Sequence, residues 1–74
     1  MSARFDFAKF MERVEWLREY QGKSMRDVAK ETGVAVSTYS RAVAGTGKVD
    51  IDNLASIARW AHLWLDEFVI ADPS

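Results

Sequence analysis

The chain contains no cysteine, which excludes a disulfide framework and any thiolate metal site and suits a reducing cytoplasm. Its one histidine, His62, has neither a cysteine nor a second histidine to join it, so no metal is expected. No apolar run approaches the roughly 18 residues of a membrane span. The opening stretch, MSARFDFAKFMERVEW, carries charges every few positions and lacks the apolar centre of a signal peptide. There is no internal repeat, no low-complexity segment, and no alternating pattern long enough to compete as a strand. The chemistry of an enzyme is missing too. Asp66 and Glu67 are adjacent carboxylates on a short apolar segment, and nothing resembles a nucleophile with its base and orienting group. Gly45-Thr46-Gly47-Lys48 looks like half of a phosphate-binding loop, but the first glycine of that motif would fall on Ala42, and Val49 follows the lysine. No enzyme, cofactor, membrane partner or small-molecule ligand is expected.

What remains is a chain of 74 residues, 49% hydrophobic and 28% charged, which is the composition of one globular domain spanning 1–74. The net charge of −1 speaks against a nucleic-acid binder, but its distribution does not. Residues 1–22 sum to zero. Residues 23–48 carry Lys23, Arg26, Lys30, Arg41 and Lys48 against Asp27 and Glu31, a surplus of +3; residues 49–74 carry Arg59 against five carboxylates, a deficit of −4. A polarity of this size also arises by chance on small surfaces; read as a signal, its positive end is the pole a phosphate backbone would meet.

The periodicity is helical throughout. Met1 to Phe5 shows no pattern and reads as a mobile arm, 1–5. Asp6 caps a first helix that runs to about Gln21 and stops at Gly22, with Phe7, Phe10, Met11, Val14 and Leu17 on its core stripe and Phe5, Trp16 and Tyr20 on the other side. Ser24 and Asp27 form a carboxylate version of the capping box for a second helix, Met25 to Thr32, which Gly33 ends. A third helix runs from Val36 to Ala44 and stops at Gly45. Two short helices joined by so tight a turn must cross steeply, as in a helix-turn-helix, here 24–45. After a loop through Thr46 to Val49, Asp50 caps a fourth helix with Ile51, Leu54, Ile57, Ala58 and Ala61 on one face. A reversal near His62 leads into a short fifth helix, Leu65 to Val69. The expected fold is all-α, with five short helices.

Ala29, Gly33, Val34, Ser37-Thr38, Ser40-Arg41 and Gly45 stand at the spacing of the Cro/cI-like helix-turn-helix regulators, often called XRE-type, and Leu17-Arg18 and the stretch from Asp50 to Phe68 resemble their other helices. The resemblance implies a lambda-repressor-like fold over about 7–69. It also implies sequence-specific binding of double-stranded DNA, with helix 36–44 in the major groove. At 100° per residue, Ser37, Ser40, Arg41 and Ala44 point away from the inward Tyr39 and Ala42, and small polar residues with one arginine let a helix axis approach base edges. By resemblance the base-reading positions fall on Val36, Ser37 and Arg41, with Thr38 beside them; capping and solvation are the plain alternative for Ser37, Thr38 and Ser40. Val36 stands where the family often has Gln and offers a thymine methyl an apolar contact.

By the same resemblance, phosphate contacts fall on Ser24 and Met25, on Thr46 and Lys48, and on Arg18, with Lys23 and Arg26 flanking that edge as electrostatic contributors or solvated residues. Val43 replaces a family glutamate that pairs with the first-helix arginine, which leaves Arg18 either freer for phosphate or paired locally with Glu15 or Asp27. Trp16, Tyr20, Trp60, Trp64 and Phe68 form an aromatic set that is either folded inside the monomer or a dimer or partner surface. The resemblance implies a small cytoplasmic regulator of a bacterial or phage-infected cell. It would be a repressor, phage immunity or Cro-like, acting as a homodimer on a palindromic operator. The alternative is a protein-interaction module, such as an antitoxin or anti-repressor, that uses the acidic, aromatic carboxyl end.

Overall fold

The computed structural model describes residues 2–72. Six elements and one 3₁₀ turn follow in order: β1 (Ser2–Phe5), α1 (Phe7–Tyr20), α2 (Met25–Thr32), α3 (Val36–Ala44), α4 (Ile51–Ala61), the 3₁₀ turn Leu65–Phe68, and β2 (Val69–Asp72). The helix boundaries follow from local chemistry. The Asp6 carboxylate accepts from the Lys9 N–H at 3.1 Å and starts α1. Ser24 and Asp27 complete both bonds of the capping box at 2.9 and 3.1 Å. Gly33 and Gly45 close α2 and α3 in the left-handed region, at φ 79° and 75°. Asp50 accepts from the Asn53 N–H at 2.8 Å and starts α4. His62 ends α4 in a left-handed conformation, φ 56°, a position glycine takes without its steric cost.

The core runs through all four helices. Phe10 and Val14 of α1, Val28 of α2, Tyr39 of α3 and Ile57 of α4 have no exposed surface, with Met11, Ala29, Val34, Ala42, Ala58, Ala61 and Phe68 close behind. Ile51, expected on the core face of α4, is 67% exposed. It is the first residue of that helix and sits at the edge of the stripe centred on Ile57 and Ala58.

The ends of the chain depart from the sequence expectation. Residues 2–5 are not an arm but a strand; Met1 lies outside the described residues. β1 pairs antiparallel with β2 in the register Ser2↔Asp72, Ala3↔Ala71, Arg4↔Ile70 and Phe5↔Val69. The expected fifth helix is only the 3₁₀ turn, and Val69 opens β2 instead of closing that helix. The ribbon is held by aromatic packing. The Phe10 ring lies 5.4 Å from Phe5 and 5.4 Å from Phe68, the latter edge-on at 85°. The Asp6 N–H donates to the Phe68 carbonyl at 2.6 Å. The class stays all-α, with four α-helices and a short strand pair among the described residues.

Candidate nucleic-acid interface

α2 and α3 meet through a turn tied back onto α2. The Gly33 and Val34 N–H groups both donate to the Ala29 carbonyl, at 2.9 and 3.1 Å, and Val34 is buried. The Thr32 hydroxyl donates to the Val28 carbonyl at 2.8 Å and accepts from the Val34 N–H at 3.3 Å. Val34 therefore anchors the turn, and α3 leaves it at a defined angle.

α3 buries Tyr39 and Ala42 and exposes Val36, Ser37, Ser40, Arg41 and Ala44, with Thr38 half-buried. Its N-cap is Ala35, which has no side chain to cap the first turn. The N–H groups of Val36, Ser37 and Thr38 therefore point out of an exposed helix end with no side-chain acceptor. That end combines free donors with the positive end of the helix dipole. A Cβ on Gly47 would lie 3.9 Å from the Arg41 Cδ, so the loop carrying Thr46 and Lys48 runs beside the Arg41 stem.

The residues expected at the phosphate edge divide into two groups. Arg26, Thr46 and Lys48 are exposed, and among the described residues Arg26 and Lys48 enter no ion pair. Met25 turns its side chain against the core and leaves its backbone N–H at the start of α2. The other group is occupied internally. Ser24 spends both its hydroxyl and its N–H in the capping box. Lys23 pairs with Glu31 at 2.7 Å, and its ammonium lies 5.8 Å from the centre of the Trp60 ring, whose indole N–H donates to the same Glu31 oxygen at 2.9 Å.

Arg18 takes the local alternative. It grips Glu15 with two bonds of 2.7 and 2.8 Å and donates to the Lys23 carbonyl at 2.7 Å, with 16% of its side chain exposed. Its guanidinium is thus a brace between α1 and the α1–α2 turn. Lys30, one turn on from Arg26 and exposed, lines the groove between α2 and the amino end of α3 with Arg26, Gly33, Val34 and Val36. In the sequence Lys30 counts toward the positive pole of residues 23–48 with no contact assigned to it; its i, i+4 spacing to Arg26 puts the two on one face.

Behind α3 sits a polar brace. The Tyr39 hydroxyl donates to Glu15 at 2.6 Å, joining α3 to α1 through the carboxylate that Arg18 already holds. Burial opposes the charge on Glu15, but the bonds from Arg18 and Tyr39 outweigh it and hold the carboxyl below its ordinary value of 4.5. Burial, then the bond to that carboxylate, pushes the Tyr39 phenol up. A carboxyl with a lowered folded pKa adds stability that is present above its unfolded value and lost as pH falls through the folded one. The thermal midpoint should therefore fall between about pH 5 and pH 3. A melting series on Glu15→Gln should show a shallower fall over that window; equal slopes would mean that Glu15 does not set the acid limit.

The aromatic set also divides. Phe68 is buried between Phe5 and Phe10 and is not part of any surface. Trp60 is half-buried under Lys23. Trp16, Tyr20 and Trp64 are exposed by 60%, 77% and 74%. Among the described residues there is no helix long and apolar enough to cross a membrane and no group of side chains able to hold a metal.

A family model described as helix-turn-helix matches residues 14–59, more than half of the chain and the whole of α2 and α3. No curated protein and no solved structure matches it. The chain belongs to the Cro/cI-like, XRE-type helix-turn-helix family, whose domains are those of DNA-binding transcription regulators.

Proposed function

We propose that this chain binds a specific double-stranded DNA site as a small repressor, laying α3 in the major groove and occluding a promoter. The observation that carries the reading is the outward side of α3: its amino end is exposed and uncapped beside Arg26 and Lys30, and Arg41 and Lys48 stand exposed toward its carboxyl end, none of the four in an ion pair among the described residues. Val36, Ser37, Thr38, Ser40 and Arg41 read base edges, and the N–H groups at the start of α2 with Arg26, Lys30, Thr46 and Lys48 hold phosphates. The operator is a palindrome bound by two copies, since one short helix reads too few base pairs for a unique site. The setting is the cytoplasm of a bacterial or phage-infected cell.

The test is selection of binding sites from random duplex DNA at low and high salt. An enriched palindrome is expected. Four cations per copy predict a log–log salt slope of about −3 to −4 for each half-site. Weak binding without enrichment would sink the reading. A second reading, a protein-interaction module, draws on the exposure of Trp64 beside Asp66 and Glu67. Under it a partner protein is retained by Arg41→Ala and lost by Trp64→Ala.

A further inference from the structure

The outer side of α1 carries a feature that neither the core nor the DNA-facing edge uses. Trp16 and Tyr20 stack on each other in water, with ring centres 5.4 Å apart and planes 10° apart. They are 60% and 77% exposed. Two large aromatics stacked at the surface are the anchor expected of a protein interface, because their burial is favourable.

The charges beside them say what covers the stack. At 100° per residue, Lys9, Trp16 and Tyr20 form the centre of an exposed stripe. Glu12 and Glu19 run along one flank and Arg13 along the other, and all six residues are exposed. Among the described residues none of these four charges enters an ion pair. Rotation by 180° about an axis parallel to α1 lays the acidic flank of one copy on the basic flank of another. Arg13 and Lys9 then face Glu12 of the second copy, twice over, and Glu19 faces the Tyr20 hydroxyl. An antiparallel arrangement instead brings Glu12 against Glu19.

We propose that a second copy of this chain docks here, α1 beside α1 in parallel, with Trp16 and Tyr20 at the centre. This deepens the two-fold reading given above by naming its surface. The orientation suits it. The carboxyl end of α3 lies along the groove with Phe7, Ala8 and Met11, and Tyr39 reaches Glu15. The amino end of α3 therefore points toward the carboxyl end of α1, where α2 also begins. An axis parallel to α1 brings the amino ends of both α3 helices to the same end of the pair.

The chain has no cysteine, so a single introduced one reports the contact cleanly. Tyr20→Cys is expected to give a disulfide-linked dimer under mild oxidation, and Lys48→Cys, in the loop after α3 and outside the stripe, is not. By sedimentation without DNA the wild type dimerises. Trp16→Ala raises the dissociation constant about 30-fold or more, and Arg13→Glu weakens the dimer. The exchange Glu12→Arg with Arg13→Glu restores it, while circular dichroism stays that of the wild type throughout. A monomeric wild type at millimolar concentration, a dimer indifferent to Trp16→Ala, or no rescue by the charge exchange would overturn the proposal. Because no DNA is present, these results stand or fall apart from site selection: a monomer that still enriches a DNA site refutes the surface and spares the function.

Discussion

Tyr39→Ala is expected to remove a large part of the stability of the domain. Tyr39 has no exposed surface, packs within the core cluster and touches α1 through its hydroxyl. Truncating a buried aromatic to alanine costs about 3–5 kcal/mol. A domain of this length holds only about 4–11 kcal/mol in total. The thermal midpoint should drop by at least about 12 °C. Tyr39→Phe separates the ring from the hydroxyl. It leaves the packing intact and removes one bond to a carboxylate, worth about 1.5–3 kcal/mol, at the low end here because Glu15 keeps both bonds from Arg18. Melting followed by circular dichroism checks both. A Tyr39→Phe protein as stable as the wild type would show that the α1–α3 brace contributes no net stability.

The parts of this fold legible in the sequence are those settled within one helical turn. Asp6, Ser24 with Asp27, Gly33, Gly45 and Asp50 each mark a helix end through a local bond or a left-handed backbone, and all five do so in the structure. The inward faces followed as well, because Phe10, Met11 and Val14 in α1, Tyr39 and Ala42 in α3, and Ile57, Ala58 and Ala61 in α4 recur at helical spacing. β1 and β2 escaped because four residues alternate too briefly to show a period, and because each strand exists only by pairing with the far end of the chain. For Phe68 the sequence leaves burial and a partner surface both open for the same reason: what helps bury it is Phe5, a residue of the unread strand. At the site, the exposed face of α3 was legible from its angle alone. The fates of Arg18 and Lys23 were not. Each had a carboxylate within reach, and only the three-dimensional placement of Glu15 and Glu31 decides that the cations are used internally.

The second large effect is expected at Arg41. Its side chain is exposed, makes no ion pair among the described residues, and leaves the outward face of α3 beside the loop that carries Lys48. Removing it should not disturb folding, so the melting curve of Arg41→Ala should overlay that of the wild type. On DNA, arginine paired with guanine O6 and N7 supplies discrimination of about 1–3 kcal/mol per base pair. Two half-sites double this to about 2–6 kcal/mol on a palindrome. Arg41→Lys should recover little, because an ammonium cannot reproduce the two-pronged pairing. Lys48→Ala is the matched control. It should weaken every sequence alike and reduce the salt slope by about one per half-site, with the preference among sequences unchanged. The decisive measurement is titration of each variant against the selected site and its single-base changes. Arg41→Ala should flatten the preference at one position of each half-site and leave the others intact. If it instead weakens all sites equally, Arg41 holds a phosphate. Base reading then falls to Val36, Ser37 and Thr38 at the uncapped start of the helix.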